Sequence, residues 1–165
     1  MNKNKLIRKS KTTDNKTDIT RAFNNLSQNK NLYLLTLTGI PTTNVKDLNF
    51  QLTNNLFNTI NADYKNSFEY INYLFIIEYG GIISKNDVSS SFIRNLGLHA
   101  HCIINTSLYE PQLEFYINTA FKKIPNYKIQ NISNSTTKNG LLNYLLKQSA
   151  TGLMTKESYN YKILI

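Results

Sequence analysis

The chain is short of the residues that most often declare a function. Its 165 residues include one cysteine, two histidines and no tryptophan. A lone Cys102 excludes an internal disulfide and makes a reducing, intracellular setting the simpler expectation. With only His99, His101 and Cys102 to draw on, a structural zinc site of four Cys and His ligands cannot be assembled. No apolar run approaches the roughly 18 residues of a membrane span, and no apolar stretch follows the basic N-terminus as a signal peptide requires. No membrane partner is expected. Acidic residues are also few, ten against nineteen Lys and Arg, for a formal charge of +9.

Much of that charge sits at the start. The first 31 residues hold Lys3, Lys5, Arg8, Lys9, Lys11, Lys16, Arg21 and Lys30 against Asp14 and Asp18, a net of +6. This head is rich in Asn, Lys and Thr and poor in apolar residues. Residues 1–30 therefore read as a basic, flexible segment that orders on an anion, with Ile19 to Leu26 able to make a short helix. A nucleic acid is the anion that suits it. Residues 31–165 read as one domain, too short for two enzymatic modules.

From Asn31 the periodicity becomes legible. "NLYLLTLTG" alternates Tyr33, Leu35 and Leu37 with Leu34, Thr36 and Thr38, a strand that ends at Gly39. In "IPTTNVKDLNFQLTNNLFNTIN" the period changes, and Val45, Leu48, Leu52, Leu56 and Ile60 line one helical face behind Asn44 as N-cap. "YINYLFIIEYGG", residues 70–81, is a second strand, residues 82–96 are a polar loop with Lys85 and Arg94, and "GLHAHCIIN" is a third strand. "YEPQLEFYINTAFKKI" is a second helix with Pro111 near its first turn, "YKIQNIS" a fourth strand, and "NSTTKNGLLNYLLKQ" leads into a third helix. The order β-α-β-β-α-β-α predicts an α+β fold, a split β-α-β (ferredoxin or RNA-recognition-like) antiparallel sheet. Helices would cover one face and leave the other open for single-stranded nucleic acid.

Both histidines lie in the third strand. Residues i and i+2 point to the same face, so His99 and His101 project together while Leu98, Ala100, Cys102 and Ile104 take the other side. The apolar set belongs under the helices, which puts the histidines on the open face and turns Cys102 away from them. Glu78, a charge at the end of an apolar strand, is the candidate third ligand. Two imidazoles and a carboxylate with open positions suit Mn²⁺ or Mg²⁺ engaged with a phosphate, and Fe²⁺ or Zn²⁺ as well. In "GLLNYLLKQS", Leu141, Leu142, Leu145 and Leu146 form one helical face. Tyr144, Lys147 and Gln148, three and four residues apart, lie together on the opposite one.

These ordered motifs, "TLTG" at 36–39, Glu78, "HAH" at 99–101 and "YLLK" at 144–147, resemble those of the HUH endonucleases, in particular the rolling-circle replication initiators of small plasmids and circular single-stranded DNA viruses. The resemblance runs from residue 32 to near residue 150. It implies an enzyme, located with DNA inside the cell, that nicks and joins single-stranded DNA at a replication origin. A metal held by Glu78, His99 and His101 would polarise the scissile phosphate. Tyr144 would attack it, giving a 5′-phosphotyrosine and a free 3′-hydroxyl that primes synthesis, and Lys147 would hold the phosphate or favour the phenolate. Thr36 and Thr38 would line the DNA side of the sheet, with Lys85 and Arg94 as further DNA contacts. No G-x-x-x-x-G-K-[ST] loop is present, so a separate helicase is implied beside the polymerase.

Three other readings stay open. Tyr144 followed four residues later by Gln148 also matches the small single-tyrosine transposases, whose Gln completes the metal site. A non-catalytic RNA-recognition-like module accounts for the charge and topology but not for the His pair, Glu78 and Tyr144. A mononuclear iron oxygenase accounts for the ligands but not for Tyr144, Lys147 or the basic head.

Overall fold

In the computed structural model, residues 6–9, 12–29, 31–40, 42, 44–64, 71–79, 97–121, 123, 125–134, 138–147, 149 and 153–164 are described. The alternating segments form strands β1 (Leu6–Arg8), β2 (Leu32–Ile40), β3 (Asn72–Tyr79), β4 (Leu98–Asn105), β5 (Asn126–Asn131) and β6 (Tyr159–Leu164). They make one sheet in the order β1-β6-β3-β4-β2-β5, and every described pairing is antiparallel. Its central part, β3-β4-β2-β5, is the split β-α-β arrangement expected from the order of elements. β6 and β1 extend it beyond β3, a continuation the sequence reading did not include.

One face carries a helical layer. Asn44 accepts from the Lys46 and Asp47 amides and starts α2 (Val45–Phe50). The helix widens into a π-type segment at Gln51–Phe57 and resumes as α3 (Asn58–Asp63). The wide turn lets the neighbours Leu56 and Phe57 both reach the sheet, where Phe57 stacks on Tyr73 with ring centroids 4.1 Å apart. Pro111 stands in the first turn of α4 (Glu110–Ala120), whose Leu113 and Ile117 join the same core over Leu35, Phe75, Cys102 and Ile104.

The second face differs from the expectation of an open platform. α1 (Asn15–Leu26), begun by an Asp14 cap on the Thr17 amide at 3.0 Å, and α5 (Lys138–Leu145) both pack on it. Ile19, Ala22, Phe23 and Leu26, spaced i, i+3, i+4 and i+7, join Leu145 and Leu146 over Leu74, Ile76, Ile103, Tyr159, Tyr161 and Ile163. Two layers of apolar side chains on this face would otherwise meet water. The head read as flexible from its composition is thus part of the fold over Leu6–Arg8 and Asn15–Leu26. Asp18, fully buried in α1, accepts from the hydroxyls of Tyr159 at 3.0 Å and Tyr161 at 2.8 Å and pairs with Arg21 at 2.7 Å. Two of the head's cations serve this packing, since Lys9 donates to the Tyr159 carbonyl at 3.0 Å.

Among the described residues, apolar cover on the second face thins out along β2 and β5 beyond Leu34 and Ile132. Thr36 and Thr38 are half-buried there, and their cross-strand neighbours Lys128 and Asn126 are exposed, as is Gln130. No helix among the described residues is long and apolar enough to cross a membrane.

Candidate active site

Three strands bring the polar residues of the second face together. In the register of β3 and β4, Glu78 lies opposite His99, and in that of β2 and β4, Thr36 lies opposite His101. Same-face alternation then places Glu78, His99, His101 and Thr36 in one patch at the end of the apolar row Leu74, Ile76 and Ile103. β2 is irregular here: its register with β4 skips between Leu37 and Ile40, so Thr38 and Gly39 oppose His99, with Gly39 at φ 67°. Such a bulge re-aims the side chains around it.

His101 is held at both ring nitrogens. Its Nδ1 faces Thr36 Oγ1 at 3.3 Å, and its Nε2 meets Glu78 Oε1 at 3.0 Å, with His101 4% and Glu78 3% exposed. For Nε2–H to donate to Glu78 in a neutral ring, Nδ1 accepts from the Thr36 hydroxyl. A hydroxyl also accepts, so Thr36 serves the opposite tautomer equally, the one that frees Nε2 to ligate a metal.

α5 delivers the remaining groups. Its leucines fix it on the apolar part of the face, which leaves Tyr144 47% exposed beside the polar patch. The Tyr144 hydroxyl approaches His101 Nε2 at 3.5 Å, and the two rings meet edge to face with centroids 5.1 Å apart. Lys147, one turn on, reaches down to Glu78 Oε1 at 2.7 Å, and its ammonium lies 3.7 Å from the centroid of the Tyr144 ring. Tyrosine, ammonium, imidazole and carboxylate therefore form one contiguous set drawn from β3, β4, α5 and the turn after it.

The electrostatics follow from burial and these partners. Burial alone would raise the Glu78 carboxyl, but hydrogen bonds from His101 and Lys147, together with their charges, outweigh it and hold it below the ordinary value of 4.5. Burial lowers His99 from 6.5 against the opposing pull of Glu78, so its imidazole is neutral and free to act as a ligand at neutral pH. Burial pushes the Cys102 thiol far up, and it faces the first core.

Among the described residues no group of three His, Cys, Asp or Glu side chains stands ready-made as a metal cage. Lys147 pairs with Glu78 Oε1 at 2.7 Å. The donor chemistry nonetheless fits a dication. Glu78 Oε2 is buried with no hydrogen-bond partner, and such an orphan oxygen calls for a cation or a donor.

The structure thus brings together Glu78, His101, Tyr144 and Lys147, with His99 beside them across the ladder. Thr36 contacts His101 rather than open solvent, and Thr38 sits at the bulge. Lys85, Arg94 and Gln148 lie outside the described residues. The support of His101 by Thr36 was missed in the sequence, although both lie on strands of known facing. No protein-family model, curated protein or solved structure matches this chain.

Proposed function

We propose that the chain is an HUH-type endonuclease that nicks and joins single-stranded DNA at a replication origin. The observation that supports this reading is the convergence of the Tyr144 hydroxyl on His101 Nε2 with Lys147 and Glu78 in contact around it. A half-exposed tyrosine at a buried ionic cluster is poor core filler, and it is accessible to a polymer substrate. The phenolic oxygen attacks the phosphorus, the bond to the 3′-oxygen breaks, and the tyrosine's proton ends on that oxygen. The products are a 5′-phosphotyrosine and a 3′-hydroxyl able to prime synthesis, and attack by a 3′-hydroxyl on the adduct rejoins the strand. Glu78, His101 and His99 would hold Mn²⁺ or Mg²⁺, which would stabilise the charge that builds on the phosphate oxygens. Lys147, whose ammonium lies over the Tyr144 ring, holds a phosphate oxygen next to Tyr144. Thr36 keeps the His101 ring in place through the exchange.

The reading is tested by incubating the protein with labelled single-stranded DNA from its own replicon, with Mn²⁺ or with EDTA, and resolving the products on a denaturing gel. A metal-dependent covalent band is expected, and Tyr144→Phe abolishes it. DNA shifted only on a native gel, with no adduct, favours the non-catalytic binding module instead.

A further inference from the structure

Beside Tyr144 lies a trough that the chemistry above does not use. Its inner part, about 470 Å³, runs between β5 and α5 on an apolar floor of Leu34, Ile132 and Leu141, with Tyr144 among its lining and Gln130 and Asn131 on its rim. Its outer part, about 940 Å³, shares Asn131 and Lys138 with the inner one and is walled by the amides of Gln28, Asn29 and Asn31. Among the described residues no carboxylate lines either part. Lys138 donates to the Ser27 carbonyl at 2.7 Å across the gap. An ammonium has three donors, and among the described residues this one bond uses one of them.

The three features name one class of occupant. An apolar floor takes the faces of unstacked bases, amides pair with base edges, and an ammonium takes a backbone phosphate. We propose that this trough seats the single-stranded nucleotides that flank the scissile phosphate on the β5 side of Tyr144. Gln130 and its neighbouring amides read base edges, and Lys138 grips a phosphate. The assignment rests on the reading that Tyr144 attacks DNA, and it adds where the substrate lies and which side chains select it.

The test uses the full chain carrying Tyr144→Phe, so that no adduct forms, and a short fluorescein-labelled single-stranded DNA read by anisotropy across a salt series. Lys138→Gln should weaken binding and lower the salt slope by about one unit, while Lys138→Arg keeps both. Gln130→Leu should weaken binding about two- to tenfold on natural DNA and leave unchanged the binding of the same strand with abasic sites. Thermal midpoints of the variants show that α5 stays docked. Unchanged affinity and slope in Lys138→Gln and Gln130→Leu overturn the trough, whether or not the parent protein with Tyr144 intact forms its adduct. An equal loss on natural and abasic strands from Gln130→Leu overturns the base readout. Adduct formation by the parent protein is a separate assay, so failure of the trough and failure of the nuclease reading are told apart.

Discussion

The two faces of the sheet are made from alternate residues of the same strands, and they have opposite characters. β3 gives Tyr73, Phe75 and Ile77 to one face and Leu74, Ile76 and Glu78 to the other, while β4 gives Ala100, Cys102 and Ile104 against His99, His101 and Ile103. Along β2, β3 and β4 the first face is apolar from end to end. The second is apolar at one end and ionic at the other, and its apolar end is what positions its ionic end. Leu145 and Leu146 anchor the end of α5 there, and the helix with the turn after it then carries Tyr144 and Lys147 to Glu78 and His101. The contrast shows how a buried charge cluster is kept in register: by hydrophobic packing next to it rather than by its own attraction.

The contrast can be broken most strongly from the first face. Phe57→Ala removes a stacked, fully buried ring and should cost about 3–5 kcal/mol in urea unfolding, to a similar extent at neutral and acid pH.

A smaller, pH-dependent loss is expected on the second face. Lys147→Met leaves Glu78 buried without its cation and should cost up to about 3 kcal/mol at neutral pH, moderated because Lys147 keeps some exposure. Glu78 is depressed below 4.5 in the fold, so its contribution is complete above that value and is lost as pH falls through the lowered native one. The cost of Lys147→Met should therefore shrink as pH falls below 4.5, and Glu78→Leu added to it should restore most of the stability at neutral pH. A cost that does not vary with pH, or a double variant no better than the single, would count against the ion pair as drawn.

The smallest effect sharpens the role of Thr36. Thr36→Val keeps the shape and removes the partner of His101 Nδ1, and about 0.5–1.5 kcal/mol should be lost. Its greater consequence is expected in Mn²⁺ affinity, measured by calorimetry, since the ring then lacks the hydroxyl that supports either tautomer.

Much of this architecture was legible in the sequence because the two periods of the chain are clean. The alternation in "NLYLLTLTG" and "GLHAHCIIN", the Asn44 cap and Pro111 marked the central strands and helices, alternation put His99 and His101 on one face, and Glu78 stood out as a charge at the end of an apolar strand. Composition misled at the head. Its Lys and Asn content masked an Asp14 cap and the spacing of Ile19, Ala22, Phe23 and Leu26, which are the signals of an amphipathic helix. The alternation of Tyr159, Tyr161 and Ile163 likewise marks β6. What no local pattern could give is the partner of Asp18, because its tyrosines stand more than a hundred residues away. The ion pair of Glu78 with Lys147 is likewise a tertiary fact, for the spacing on α5 says only which way Lys147 leaves the helix.

The union of α1 with β6 through Asp18 also sets a timetable. The buried residues of the first core end at Phe121, with Tyr127 and Ile129 of β5 packed against it, so it can close before β6 is made. The second needs Ile19 and Ile163 at once, and α5 docks on that same core. During synthesis Tyr144 and the second core on which α5 docks therefore come together only after β6 has emerged.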